Sequence, residues 1–386
     1  MNASIWIYPW DLIDEGIEKT LDRLAESRLT SISLAVSYHS GKFLRPHSQN
    51  HKIYFTEDGV IYYNSKKDIF RDNNIKPEIS RLAINDNILD NIINKAYKRN
   101  ISVIGWTVSL HNSRIGTKYP QFTVKNVYGD SYPYSLCPSN GAVVEYVSTL
   151  VRSLSEEYDL EAVELETPGF LPFIHGCHHE MYQVDIRPTA AMLLGLCFCD
   201  SCCQQAMQCG IDIERLKEIV KAALEPFYEA DADAELDGPA MDMLVQYRAM
   251  RCQIVADLVK SAKAAAGSKK LYFIPSVNPP LSNAFMEGSD IDMLASHCDA
   301  LTLLAYYNDI QLLESELYAA NRVVRGCCKL RVGLRPVPPD VPSQDALNDV
   351  LRRVNQQQAD GVSFYNYGHF RLKTLDSIRL GLQSLD

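Results

Sequence analysis

Carboxylates, imidazoles and thiols crowd into one stretch of this chain, Leu160 to Cys203, LEAVELETPGFLPFIHGCHHEMYQVDIRPTAAMLLGLCFCDSCC. Glu164 and Glu166 sit in a short apolar run, where a strand's period of two points both to one side and Val163 and Leu165 to the other. Carboxylates held together in a partly desolvated pocket shift one another's pKa, so one stays protonated as a general acid while its neighbour ionises. Glycosidic bond cleavage needs such an acid, together with a group that deals with the oxocarbenium-like centre. Thr167-Pro168-Gly169 breaks the strand just past Glu166, which places Glu166 at the strand end and Glu164 one layer deeper, where it orients Glu166 or raises its pKa. Side chains two apart on a strand share one side of a substrate, so a further residue must complete the site. The plain alternative is an outward-facing pair, or an ion pair with an Arg on the next strand.

His175, His178 and His179 follow in a loop, suited to contacting substrate hydroxyls. With Glu164, Glu166 or Glu180 they would instead build a catalytic metal site for a sugar isomerase or lyase. Cys197, Cys199 and Cys202 have C-x-C-x-x-C spacing, which one turn can fold around a tetrahedral zinc ion with a fourth ligand drawn from elsewhere. Cys203 and Cys209 compete locally, and buried reduced thiols are the simpler reading.

The elements that must position these groups read as alternating strand and helix. Strands are predicted at Ser4–Pro9, Ser31–Tyr38, Ile101–Leu110, Glu161–Glu166, Lys270–Val277, Ala300–Tyr306, Leu330–Pro336 and Gly361–Tyr367. Eight such units predict the α/β class and a (β/α)8 TIM barrel over residues 1–386. Two insertions interrupt it, a long loop after strand two at about 40–80 and a helical insertion with the cysteine cluster after strand four at about 170–240. No G-x-G-x-x-G or Walker-type glycine loop occurs, which argues against a doubly wound nucleotide-binding sheet. The predicted strand ends gather Asp11, His39, His111, Asn112, Asn278, Tyr307, Asp309, Arg335, Tyr365, Tyr367 and His369. Donors and acceptors for hydroxyls beside flat apolar rings are what a sugar needs, so Asp11, His39, His111, Asn112, His175, His178, Tyr307, Arg335 and Tyr367 are the candidate substrate-binding residues.

Composition narrows the partners. A net charge of −10 excludes the clustered positive field that nucleic acid or an anionic membrane requires, leaving a neutral small molecule, a sugar or glycoside. No run approaches a membrane span and no leader precedes the first strand, so a cytoplasmic protein is expected. The eleven cysteines of a 386-residue chain fit reduced thiols or a metal site better than a disulfide framework. A homo-oligomer is compatible with all of this.

The pair formed by SLCPSN, with Cys137 after strand three, and CFCDSC, with Cys197, Cys199 and Cys202 after strand four, resembles the zinc-binding cysteine pattern of family 42 glycoside hydrolases, the β-galactosidase barrels. That resemblance implies a structural zinc held by Cys137, Cys197, Cys199 and Cys202, and an acid/base Glu at the end of strand four, carried here by Glu166. Arg335 and Pro336 stand where the family's strand-seven nucleophile Glu would be. EAVELETPG and LLAYYND are also similar, more faintly, to segments of family 18 glycoside hydrolases, with Pro168 at the position of their catalytic Glu. The chain thus reads as a glycosidase-like barrel with Glu166 as acid/base, or as a sugar-binding barrel without catalysis.

Overall fold

A computed structural model describes residues 1–84, 87–175, 177, 180–230, 232–277 and 279–385. Eight parallel strands form a closed barrel: β1 (Asn2–Ile7), β2 (Ser31–Tyr38), β3 (Ser102–Val108), β4 (Ala162–Glu166), β5 (Lys270–Phe273), β6 (Ala300–Leu304), β7 (Lys329–Leu334) and β8 (Gly361–Phe364). Each pairs with its sequence neighbours, and closure comes from β1, which pairs Ser4 with Ser31 on one side and Asn2 with Gly361 on the other. Strands covered on both faces need not alternate, and β2 is buried at every position. The outward-facing apolar residues pack under the surrounding helices in the main core, for example Ile5, Leu34, Val163 and Val332. Inside the barrel the space is contested: a Cβ at Gly333 would lie 2.9 Å from both Trp6 and Leu304, so glycine there makes room for the indole.

Each predicted strand is present, with shifted ends. β5 stops at Phe273 rather than Val277, because the chain turns out of the ladder at Pro275. Pro9–Glu15 is a helix with Pro at its first position, not a continuation of the strand-one end. The long connection after β2 contains a hairpin, Lys42–Leu44 with Ile53–Phe55, whose turn lies at 45–52. That register sends Phe43 and Tyr54 onto the rings of Trp10 and Tyr8. The segment before Cys137 is a second hairpin, Thr123–Lys125 with Ser131–Leu136.

The insertion after β4 carries helices Pro188–Leu194, Asp200–Gln208, Ile213–Glu229 and Gly238–Ala266, with an apolar cluster of its own that includes Leu193, Leu216, Leu224 and Tyr247. No helix among the described residues is long and apolar enough to cross a membrane.

Candidate functional site at the barrel mouth

Inside the barrel, the floor is polar. Arg331 donates to Ser4 and Ser363 at 2.8 and 3.0 Å and lies over the Tyr272 ring. In the next layer Glu164, fully buried, accepts from Trp6 Nε1 at 2.9 Å and Thr302 Oγ1 at 3.0 Å. Burial raises its pKa, and Arg331 opposes the rise. One layer higher, Glu166 is half-buried and accepts from Trp106 Nε1 at 2.6 Å. Burial lifts its carboxyl to about 7, opposed by the Trp106 hydrogen bond and reinforced by Glu164. The two carboxylates thus face inward in successive layers.

Rings surround Glu166. The charge of its carboxylate is felt by the hydroxyls of Tyr38, Tyr306 and Tyr365. Tyr8 Oη donates to Tyr38 Oη at 3.0 Å and lies 3.3 Å from Tyr365 Oη. Tyr365 packs 6.2 Å from Trp106, 6.0 Å from Tyr306 and 5.7 Å from His369. Burial, with Arg45 adding to it, lowers the His369 pKa to about 4, so this imidazole is neutral at physiological pH. Arg335, half-exposed at the end of β7, lies 4.6 Å over Tyr306 and pairs with Asp340.

Three of the histidine positions converge on the other flank. His39 stacks on Tyr38 at 4.3 Å and on His111 at 4.1 Å, and His111 meets His175 at 5.7 Å. His178, His179 and Asn278 lie outside the described residues. Four predicted residues are engaged in the scaffold around the mouth. Asp11 is buried in an ion pair with Arg45 at 2.9 Å, and burial still lifts its pKa to about 7 because desolvation outweighs the guanidinium. Asn112 caps the helix Ser113–Lys118 by accepting from Ile115 N. Tyr367 donates to Glu15 at 2.9 Å, and Tyr307 contacts Glu316 at 3.5 Å.

Trp106, Tyr306, Tyr38 and Trp6 were not singled out from the sequence. Trp6 and Trp106 fall inside predicted strands where a ring reads as core, and their direction depends on barrel register; Tyr38, like Tyr306, stands at the end of its predicted strand. That position at a strand end was the signal available for both tyrosines.

The second assembly of chemistry-bearing groups is buried away from solvent. The Sγ atoms of Cys137, Cys197, Cys199 and Cys202 all lie within 4.8 Å of one another, with Cys137 at 3.5 Å from Cys199 and Cys202 and 3.7 Å from Cys197. Those spacings are far longer than a disulfide's ~2.05 Å. They match the ~3.8 Å edge of a tetrahedron with metal–sulfur bonds of ~2.3 Å. The four thiols therefore fit a metal ion, and none of the eleven cysteines is in a disulfide. Cys137 follows the hairpin after β3, Cys197 and Cys199 lie in the turn into the helix Asp200–Gln208, and Cys202 is in that helix's first turn. Cys203 bonds the Phe198 carbonyl instead, and Cys209 is exposed. Among the described residues, Glu164, Glu166 and His175 do not form a comparable metal-holding group.

No protein-family model matches this chain, and no curated protein matches its sequence. Solved structures do match its backbone. A β-galactosidase from the psychrophilic Marinomonas ef1 aligns with a TM-score of 0.59 at 9% identity, covering 99% of this chain and 59% of that one. An α-L-fucosidase isoenzyme 2 from Paenibacillus thiaminolyticus aligns at 0.53 and 13% identity, covering 95% and 46%. This chain therefore spans only about half the length of these proteins. Identities this low speak to architecture alone, and the architecture is a closed eight-stranded (β/α)8 TIM barrel.

Proposed function

We propose that the protein hydrolyses a glycosidic bond in a small carbohydrate or glycoside, with Glu166 as the acid/base. One observation carries this reading: a half-buried carboxyl with its pKa lifted to about 7 stands at the carboxyl end of β4, among the rings of Trp106, Tyr306 and Tyr365. Protonated near neutral pH, it can donate to the departing glycosidic oxygen. The Trp106 N–H then supports the carboxylate that remains, which can draw a proton from water. Glu164 below disfavours ionisation of Glu166 until that proton is given up. The ring faces suit the C–H side of a sugar, and Tyr365, His369 and Arg335 offer polar partners for its hydroxyls.

A second reading is a barrel that binds sugar without cleaving it, favoured by the Arg335–Asp340 pair at the end of β7, where a nucleophilic carboxylate would otherwise be expected. The test is a panel of nitrophenyl glycosides with Glu166→Gln as control. Turnover that falls roughly 10²-fold or more while KM stays near the parent value supports the acid/base role. Unchanged turnover removes Glu166 from the chemistry, and sugar binding with no turnover in the parent supports the second reading. For the cysteine centre we propose a structural zinc. Four thiolates close its coordination, so it would tie the hairpin after β3 to the insertion after β4 and would not touch substrate.

A further inference from the structure

We infer that Arg251 is the buried counter-charge of the four-cysteine centre, an assignment that rests on the zinc reading above. Arg251 lies on the inner face of the helix Gly238–Ala266 and is 3% exposed. Among the described residues no carboxylate pairs with it. Its Nη2 donates to the carbonyls of Met286 at 2.9 Å and Gly195 at 3.5 Å, and its guanidinium lies 4.3 Å over the Phe170 ring. Nε has no partner. An uncompensated guanidinium in such a place is expensive, and buried cations are ordinarily matched by an anion.

The surroundings identify that anion. The Gly195 carbonyl that Arg251 reaches stands two residues before Cys197, the first thiol of the cysteine turn. Tyr247, one turn earlier on the same helix, donates to the Cys197 carbonyl, so this helix face is seated directly on the cysteine turn. A divalent ion bound by four thiolates carries a net charge of −2. Arg251 would halve that excess. The same side chain then joins the centre to the mouth. Met286 is followed by Glu287, whose carbonyl accepts from Phe170 N at 2.9 Å and whose carboxylate accepts from Ser276 Oγ at 2.6 Å and Val277 N at 3.1 Å. A Cβ at Gly169 would lie 2.3 Å from the Glu287 carbonyl, so the loop leaving Glu166 is packed against this junction.

The test is zinc affinity by competition with a chromogenic chelator, on the full chain, for the parent and three variants. Arg251→Gln keeps hydrogen-bond donors without the charge, Arg251→Met removes both, and Arg251→Lys keeps the charge. Loss of a group that supports metal ligands costs about 10–100-fold in affinity. Arg251→Gln and Arg251→Met are expected to fall in that range, and Arg251→Lys to stay within about 3-fold of the parent, since the charge and not the fork is what matters. In metal-free protein the order inverts: Arg251→Met is expected to resist urea as well as or better than the parent, because a buried charge without its anion is gone. Zinc held by Arg251→Gln as tightly as by the parent would overturn the assignment. So would equal weakening of Arg251→Met with and without zinc, the mark of a packing role. A parent chain that captures no zinc at all would overturn the zinc reading itself.

Discussion

Glu166 keeps its proton near neutrality because burial outweighs the contact that pulls the other way, the Trp106 N–H at 2.6 Å. A donor to a carboxylate favours the charged form, so removing it must raise the pKa further. If Glu166 is the acid, kcat/KM should fall as pH rises through about 7 in the parent. In Trp106→Phe, which keeps a ring and loses the donor, that limb should move to higher pH. A pH–rate profile checks it, and a limb that stays put or moves down would count against Glu166 as the titrating group. That Glu164 and Glu166 share one face was legible from the period of two; that this face is the inward one came from barrel closure. Their partners were not, since Trp6 and Trp106 reach them across strands whose register is tertiary: Glu164 pairs with Trp106 in the ladder, yet that indole bonds Glu166. Asp11 is a different case. Pro9 at a helix start with an acid two residues later was a helix signal in plain view, and it places Asp11 beside Arg45 and not at the mouth.

Elements around the mouth are held by buried charge as much as by apolar contact. Arg45 comes from the hairpin loop after β2 and binds Asp11 and the Trp10 carbonyl on the helix after β1, while His47 bonds Glu15 at 2.7 Å and the Tyr367 carbonyl at 2.8 Å. Breaking a buried pair from one side costs about 3–5 kcal/mol, because the remaining charge is stranded. Arg45→Met should lose that much in urea unfolding at pH 8. The sign with pH follows from Asp11. Its folded pKa is about 7, above the unfolded value near 3.9, and losing Arg45 raises it more. Parent and variant both carry a protonated Asp11 at pH 5, so the difference between them should shrink there and grow above pH 7. A difference that is larger at pH 5 would show that Asp11 is not the group involved. None of this was readable beforehand, because a 41-residue excursion rich in Tyr, Asn and Lys carries no periodic signal. The barrel strands and the helices Ile213–Glu229 and Gly238–Ala266 were readable, because long apolar periodicity survives tertiary context.

For the molecule as a whole, a zinc held as proposed would make the cysteine centre a staple between segments 60 residues apart, Cys137 and Cys197. Elemental analysis of purified protein should find close to one zinc per chain, and Cys199→Ser should lower the melting temperature more than it lowers turnover of the folded fraction. Zinc absent, or turnover lost at unchanged stability, would contradict a structural role. The eight-unit rhythm told the architecture, but a rhythm does not say how a ring of strands is sealed. The seal is the pairing of Asn2 with Gly361. On a ribosome adding about 5–20 residues per second, β1 waits roughly twenty seconds to a minute for that partner. Throughout that interval one flank of a strand as apolar as Ser4–Ile7 stands open, a template for another nascent chain. The pairing of β1 with β8 is therefore also what removes this edge from the finished barrel.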